Sequence, residues 1–308
     1  LDDADDLDAD LELVVLDMAG TTVVDDGLVE RAFGKAADEA GIGSTPEERE
    51  RALDYVRETM GQSKIAVFRA LTDDEDQAQH ANALFESAYA ELAASEGLRA
   101  VPGAEDLIRH LRAIGVKVAL TTGFSRPTQD AVLDALGWRD LADLTLSPAE
   151  AGRGRPFPDL PLTALLRTGG TSVEGMVVVG DTASDIASGI AAGAGLVVGV
   201  LTGAHDEETL TDAGADAVIP SIADLAELLG LDDTVTWTGR HFGLRFRHTT
   251  IVDQLRAPMY FRDIMVAGRF HSFEHEHHFA AMNDGTRMRD ELRFSAPLLA
   301  AALEPIPR

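Results

Sequence analysis

Short apolar segments followed by polar motifs recur along the N-terminal two thirds of the chain. Three are rich in valine and separated by helical periodicity; they run from Leu13 to Leu16 before Asp17, from Val116 to Leu120 before Thr121-Thr122, and from Met176 to Val179 before Gly180-Asp181. A fourth, Gly195 to Leu201, precedes Thr202-Gly203. The pattern predicts buried parallel strands of an α/β sheet. Because ligands bind at the carboxyl ends of such strands, we expect a functional site at these motifs.

The connection between the first two predicted strands is long and helical. Adjacent parallel strands need only about a dozen connecting residues, whereas the stretch from about Gly27 to Leu98 has helical periodicity throughout. We therefore predict an inserted helical cap, with Val101-Pro102-Gly103 marking the return to the core. The predicted organisation is an acidic tail at 1–10, a core formed by 11–26 and 99–230, and a cap at 27–98.

After Leu231 the periodicity changes from helical to alternating. Four strands are predicted there, at His241 to Val252, Met259 to Val266, Phe270 to Ala280 and Arg287 to Ser295. Asn283-Asp284-Gly285 is a tight-turn signal between the last two. The segment 231–308 is therefore predicted to form a smaller antiparallel β-meander.

The charge of the chain is concentrated in its first 230 residues. The net charge is −27, yet from Leu231 onward 10 Lys/Arg balance 10 Asp/Glu. Such acidity lacks the basic surface that nucleic acids and anionic membranes require, so we expect neither as a partner.

The absence of cysteine excludes disulfides, thiol catalysis and thiolate metal sites. No apolar run approaches the roughly 18 residues needed to cross a bilayer. The acidic first ten residues lack the basic-then-apolar order of a secretory signal. We therefore expect a cytoplasmic protein.

Four motifs carry candidate chemistry: Asp17-Met18-Ala19-Gly20-Thr21-Thr22, Thr121-Thr122-Gly123, the loop Gly152 to Asp159 containing Arg155, and Gly180-Asp181-Thr182-Ala183-Ser184-Asp185. A carboxylate after a buried strand can attack phosphorus, and a cation in the loop can neutralise a phosphoryl group. Two acids four residues apart suit Mg²⁺, which prefers oxygen ligands. Each motif alone also fits an ordinary helix cap or turn.

In this order and spacing, the four motifs resemble those of the haloacid dehalogenase superfamily of aspartate-nucleophile hydrolases, over about residues 11–230. The resemblance implies a Rossmann-like core, an inserted helical cap and Mg²⁺ as cofactor. It implies a nucleophile at Asp17, a phosphoryl hydrogen-bond donor at Thr122, a phosphoryl-binding cation at Arg155, and metal ligation by Asp17, the Ala19 carbonyl and Asp181, supported by Asp185. The backbone of Gly20 and Thr21, and Gly123, are expected at the substrate.

One departure within the superfamily concerns the substrate. Phosphatase members have a second Asp two residues after the nucleophile, where this chain has Ala19. Asp-x-Ala-Gly-Thr-Thr instead resembles the phosphonoacetaldehyde hydrolases, which cleave a C–P bond and need no acid for an alkoxide leaving group. Those enzymes form a Schiff base through a cap lysine. Met60-Gly61-Gln62-Ser63-Lys64-Ile65 matches their Met-Gly-x-x-Lys-Ile, making Lys64 the candidate amine and Met60 and Gly61 candidate substrate contacts.

The match has departures, and alternatives stay open. The branch has a histidine where this chain has Val67, and tyrosines where it has Phe124 and Phe157. The leading prediction is Mg²⁺-dependent hydrolysis of phosphonoacetaldehyde or a close phosphonate through an aspartyl-phosphate. The enzyme alternative is a phosphatase acting on a small phosphorylated metabolite, and homodimerisation, known among phosphonatases, is a further possibility.

The C-terminal segment resembles the later strands of START/SRPBCC-type proteins, which bind apolar ligands. The first strand and two helices of such a domain are absent, so a fused or partial domain is the expected state. An apolar-ligand-binding module is the alternative function from another class. His271, His275 and His277 share one strand face by alternation, which is compatible with a metal site but more typical of a half-buried sheet.

Overall fold

The computed structural model describes residues 11–43, 45–231, 234–241, 244–256, 259–267, 272–282 and 285–295. They divide into two units, one of residues 11–224 and one beginning at Leu225. Among the described residues, no helix combines the length and the apolar character needed to span a bilayer.

The first unit is built on a six-stranded parallel sheet. Its strands are β1 (Leu13–Asp17), β2 (Lys117–Thr121), β3 (Leu144–Leu146), β4 (Met176–Gly180), β5 (Leu196–Val200) and β6 (Ala217–Ile219). Their spatial order is β3-β2-β1-β4-β5-β6. The four predicted strands are thereby confirmed within a residue or two at their ends. The short outer strands β3 and β6 were not predicted, because three residues are too few to show a periodicity.

Helices of the first unit connect the strands or form the cap. They are α1 (Leu28–Glu39), α2 (Pro46–Glu58), α3 (Lys64–Leu71), α4 (Glu75–Glu96), α5 (Ala104–Ala113), α6 (Arg126–Leu136), α7 (Pro148–Ala151), α8 (Asp159–Thr168), α9 (Ala183–Ala192) and α10 (Glu207–Asp212), with a short 3₁₀ turn at Ile222–Asp224. Sheet and helix side chains meet in an apolar core that includes Val15, Leu146, Leu160 and Met176. This α/β architecture with an inserted helical cap is the predicted fold class.

The cap consists of α1 to α4 and has its own aromatic core. Phe33 stacks on Phe68 with ring centroids 4.2 Å apart, and Phe85 contacts both rings. All three side chains are fully buried. Local signals fix the helix starts: Thr45 caps α2 in a capping box with Glu48.

The second unit contains a short helix, α11 (Leu225–Leu228), and a five-stranded antiparallel sheet. The strands are β7 (Thr234–His241), β8 (Leu244–Arg256), β9 (Tyr260–Ala267), β10 (Ser272–Met282) and β11 (Gly285–Ser295), in the spatial order β11-β10-β9-β8-β7.

The antiparallel meander is confirmed, but its first part was predicted wrongly. His241 ends β7 rather than beginning a strand, and it pairs with Leu244 at the start of β8. In Thr234–His241 a threonine stands at every second position from 234 to 238, with Val235 and Trp237 between them, a pattern typical of a strand. Phe270 and His271, predicted in the third strand, lie outside the described residues. The resemblance to START-type proteins stays a prediction.

Candidate active site

Neighbouring strands bring the predicted chemistry to one edge of the parallel sheet. Asp17 ends β1, Thr121 ends β2 in register with it, and Asp181 directly follows β4. All three side chains are buried. The chain order reverses between β1 and β4, and ligands bind at such switch points in open parallel sheets.

The loop after Asp17 approaches Asp181 closely because Gly20 has no side chain. Gly20 has a φ of +91°, and a Cβ there would lie 2.4 Å from Asp181 Oδ2. Thr21 donates its hydroxyl to Asp181 Oδ1 at 3.1 Å, and the Ala204 N–H donates to Oδ2 at 2.8 Å. Ala19 precedes Gly20 in this loop. The Asp181 carboxylate is therefore held in a fixed orientation, and the Thr21 side chain is one of the groups that hold it.

Arg155 is fully enclosed among the acids. Its Nη1 lies 2.7 Å from Asp17 Oδ1 and its Nε lies 2.7 Å from Asp185 Oδ1. Its Nη2 donates to Thr121 Oγ1 at 2.6 Å. Asp185 is positioned by the start of α9, where it forms a capping box with Thr182. One guanidinium thus links the end of β1, the end of β2 and the first turn of α9.

Burial and mutual repulsion disturb the titration of the acids. Burial raises the pKa of Asp17 from 3.8 to about 7, against the lowering effect of Arg155 and with a further rise from Asp185. The pKa of Asp181 is raised well above its usual range by burial and by the charges of Asp17 and Asp185. The charge of Arg155 alone therefore does not neutralise these buried carboxylates.

A divalent cation fits this arrangement. Asp17, Asp181 and Asp185 can each offer one carboxylate oxygen, and these atoms lie within 4.8 Å of one another. Oxygen donors with excess negative charge are what Mg²⁺ requires. Asp17 and Asp181 are the predicted metal ligands. Asp185 also binds Arg155 and Thr182, and these contacts are compatible with the predicted role of Asp185 in supporting the metal site.

Thr122 and Gly123 lie beyond the end of β2. The Thr122 hydroxyl oxygen accepts the Phe124 N–H at 3.2 Å, so its own proton can be donated elsewhere. Gly123 contacts the cap, because a Cβ there would lie 2.5 Å from the Gln62 carbonyl oxygen. These positions suit the predicted hydrogen-bond donor and substrate contact.

The cap loop before α3 rests directly on the core. Gly61 has a φ of +85°, and a Cβ there would lie 2.3 Å from Thr182 Oγ1. The Gly61 carbonyl accepts a hydrogen bond from Arg155 Nη1 at 3.4 Å, and the Lys64 N–H donates to the Gly123 carbonyl at 3.4 Å. Met60 lies in the turn that precedes Gly61. The cap therefore closes over the ends of β2 and β4.

Lys64 is buried, although lysine is normally a surface residue. Only 8 % of it is exposed. Its Nζ lies 6.0 Å from the centroid of the Phe85 ring and 5.8 Å from that of Phe124. Burial lowers the pKa of Lys64 from 10.5 to about 8, while the charges of Asp17 and Asp25 oppose this shift. The amine is thus partly neutral near physiological pH and lies within electrostatic reach of Asp17.

Several residues around Lys64 were not predicted from the sequence. Burial raises the pKa of Asp25, while its contact with the Val29 N–H and the charge of Lys64 lower it. Tyr89 packs against Phe124 with ring centroids 4.6 Å apart, and burial raises its pKa. Asp25 belongs to no strand-end motif, and aromatic residues on a cap helix indicate only core packing. The sequence therefore offered no signal for this cluster.

The three departures from the phosphonoacetaldehyde hydrolases occupy different environments. Val67 is buried on the same face of α3 as Lys64, and Phe124 is buried against the cap. Phe157 is largely exposed, with the Arg153 guanidinium 4.2 Å from its ring centroid. Both Phe124 and Phe157 line a cavity of about 460 Å³ between cap and core, together with Lys64 and Arg155.

Residues 11–193 match the family of haloacid dehalogenase-like hydrolases, and the chain belongs to this family. It is 29 % identical over 265 residues to a phosphonoacetaldehyde hydrolase of Bacteroides fragilis, covering 72 % of this chain and 96 % of the relative. It is 29 % identical over 214 residues to one of Bacillus cereus, covering 64 % of this chain and 78 % of the relative. A crystal structure of a phosphonoacetaldehyde hydrolase-like protein from Oleispira antarctica superposes with a TM-score of 0.61 at 26 % identity, covering 71 % of this chain and 91 % of the other. The chain is therefore a hydrolase of this family.

Proposed function

We propose that this hydrolase cleaves the C–P bond of phosphonoacetaldehyde or of a close phosphonate carrying an aldehyde. The observation that carries the proposal is the buried Lys64: its pKa of about 8 leaves a neutral amine available, and it lines the same cavity as Arg155, whose guanidinium contacts Asp17. A phosphate ester has no carbonyl for such an amine to attack. The similarity to phosphonoacetaldehyde hydrolases supports the same substrate class.

On the phosphorus side, Asp17 is the nucleophile. Its carboxylate oxygen attacks phosphorus and forms an aspartyl-phosphate, which water then hydrolyses to inorganic phosphate. Arg155 contacts Asp17 directly and neutralises the phosphoryl oxygens, and Thr122 donates its hydroxyl proton to one of them. Asp17, Asp181 and the Ala19 carbonyl would hold Mg²⁺, which would supply further positive charge to the phosphoryl group.

On the carbon side, Lys64 is the activating amine. Its neutral form condenses with the aldehyde, releasing water, and the resulting imine takes up one proton to become an iminium. When the C–P bond breaks, its electron pair moves into the iminium and gives an enamine. Protonation at carbon and addition of water then release acetaldehyde and regenerate the amine. The sum is one phosphonoacetaldehyde and one water giving acetaldehyde and phosphate.

Ala19 agrees with this chemistry. The leaving group is a carbon that becomes an enamine, so no alkoxide needs a proton at the moment of cleavage. A phosphomonoesterase would need an acid at this position, and the methyl group of alanine cannot serve as one.

Phosphonoacetaldehyde hydrolases have a histidine where this chain has Val67. Asp25 can take over the role of that histidine in accepting the proton of the lysine. Lys64 must lose a proton before it attacks the aldehyde, and Asp25 is a partly buried carboxyl within electrostatic reach of it. Burial raises the pKa of Asp25, which makes it a better proton acceptor than an exposed aspartate. We assign Asp25 to this proton transfer.

The test is phosphate release from phosphonoacetaldehyde in the presence of Mg²⁺, with an aryl phosphate ester as the comparison substrate. We expect release by the wild type, and its loss in Asp17→Asn and in Lys64→Arg, which keeps a cation but forms no Schiff base. If the wild type instead releases no phosphate from the phosphonate but hydrolyses the ester, and if ester hydrolysis survives Lys64→Arg, the protein is a phosphatase. Far-UV circular dichroism would verify that both variants are folded.

A further inference from the structure

A second group of metal-binding side chains lies on one face of the C-terminal sheet. Asp263 on β9 pairs with His275 on β10, and His277 on β10 pairs with Asp290 on β11. Because side chains alternate across a strand, residues two apart share a face, and directly paired residues share it too. Three adjacent strands therefore present two imidazoles and two carboxylates to the same small volume.

The side chains in this group are in mutual contact. His277 Nε2 lies 3.0 Å from Asp263 Oδ1, and His277 Nδ1 lies 3.0 Å from Asp290 Oδ1. His275 Nδ1 lies 3.7 Å from the same Asp263 oxygen. Asp263, His275 and His277 can each offer one ligand atom, and these atoms lie within 4.8 Å of one another.

One atom of the group has no partner. Asp263 is 2 % exposed, and its Oδ2 makes no hydrogen bond to any residue in the described part of the chain. A buried carboxylate oxygen left without a partner is unfavourable, because nothing compensates for the loss of its hydration. His277 is also buried, and its ring is stacked on Phe261 with centroids 4.0 Å apart, which fixes its orientation. The carboxylate that contacts both imidazoles through Oδ1 therefore has a second, buried oxygen with no described partner.

We propose that Asp263, His275 and His277 form a binding site for a divalent transition metal of the Zn²⁺ class. Two imidazoles and one carboxylate are a ligand set typical of zinc, and they leave one position for water or a ligand. Tetrahedral ligands about 2.0–2.1 Å from a metal are ~3.4 Å apart. The distance of 3.0 Å from His277 Nε2 to Asp263 Oδ1 is slightly shorter than this value, and the distance of 3.7 Å from His275 Nδ1 to the same oxygen is slightly longer.

Asp290 orients one of the ligands. A metal-binding histidine usually donates its other ring N–H to a carboxylate, which fixes the tautomer. The contact of His277 Nδ1 with Asp290 does this and leaves the Nε2 lone pair for the metal. Asp290 is thus a positioning residue for the site.

The site differs chemically from the one around Asp17. That site offers carboxylate oxygens and suits a hard cation such as Mg²⁺, whereas imidazole nitrogen favours a transition metal. Excess Mg²⁺ should therefore occupy the first site and leave the second free for zinc.

The experiment is titration of the full-length chain with Zn²⁺ against a chromophoric chelator, in the presence of excess Mg²⁺. Co²⁺ would be used in parallel, because its visible absorption is intense in tetrahedral sites with nitrogen ligands and weak in octahedral oxygen sites. We expect one Zn²⁺ per chain that Mg²⁺ does not displace. His277→Ala should weaken binding by about 100-fold or more, and Asp290→Asn by ~10–100-fold.

His278→Ala is the matched control, because His278 lies on the same strand and points to the opposite face. Its zinc affinity should equal that of the wild type. No zinc binding by the wild type under Mg²⁺, or equal losses in the His277 and His278 variants, would overturn the proposal. If His277→Ala fails to fold, Asp290→Asn decides the question, since the side chain of Asp290 is 41 % exposed and its change is isosteric.

Discussion

The depressed pKa of Lys64 predicts how Schiff-base formation depends on pH. With the ordinary pKa of 10.5, about 0.03 % of the amine would be neutral at pH 7, whereas a pKa of about 8 leaves about 10 % neutral. The difference of about 2.5 units therefore raises the reactive fraction ~300-fold. Below pH 8 the rate should rise about tenfold for each pH unit, and above it the rate should level off.

The assay is reductive trapping of the iminium by borohydride, followed by mass spectrometry of the labelled peptide across pH 6 to 10. The chain contains its own control, because Lys35 is an exposed lysine whose ion pair with Glu91 raises its pKa. Labelling of Lys64 should have its midpoint near pH 8, and labelling of Lys35 should still be rising at pH 10 without reaching a midpoint. Saturating Mg²⁺ keeps Asp17 ionised, so its own titration does not enter the profile.

Two results would refute this reasoning. One is a common pH midpoint for Lys64 and Lys35, which would mean that burial does not activate the amine. The other is undiminished phosphonate cleavage by Lys64→Arg, which would mean that no Schiff base is needed. Labelling of the Lys64 peptide with a midpoint near pH 8, together with no labelling of the corresponding peptide in Lys64→Arg, would support Lys64 as the Schiff-base amine.

Three further predictions follow from the same site. Asp25→Asn removes a charge that raises the pKa of Lys64, so the rising limb of the pH–rate profile should move to lower pH. The raised pKa of Asp17 means that the folded, metal-free protein binds more protons than the unfolded one, so stability should fall by up to about 4 kcal/mol between pH 4 and 7; thermal melts of Asp17→Asn should show a weaker pH dependence, since the raised pKa of Asp181 contributes in the same direction, and Mg²⁺ should oppose it in the wild type. Gly61→Ala should lower kcat/KM by about tenfold or more by displacing the cap loop, whereas Gly41→Ala, also at positive φ but facing open space, should cost only about 1 kcal/mol of stability.

The sequence predicted the strand-end chemistry because parallel strands constrain where motifs meet. Asp17, Thr122 and Asp181 each follow an apolar run, and parallel strands that are all buried place their carboxyl ends together. Arg155 could be predicted only through the family resemblance. A loop rich in glycine and proline does not reveal that its arginine turns inward to meet Asp17 and Asp185.

Other features depend on contacts between residues far apart in sequence. Asp25 lies near Lys64 only because the cap folds back over the core, and no local pattern encodes that approach. The metal site proposed on the C-terminal sheet shows the same limit. Alternation placed His275 and His277 on one face, but only the strand register brings Asp263 and Asp290 beside them.

The geometry of the cap links its closure to the reactivity of Lys64. The largest contribution to the lowered pKa of Lys64 is burial, and that burial depends on the cap loop resting on the core at Gly61 and Gly123. Any opening that admitted water around Nζ would return the pKa toward 10.5 and protonate the amine. In the proposed mechanism, Lys64 is therefore reactive only while the cap is closed. Gly61→Ala should accordingly shift the borohydride-labelling midpoint of Lys64 to higher pH, in the opposite direction to Asp25→Asn, and an unchanged midpoint would show that closure and amine activation are independent.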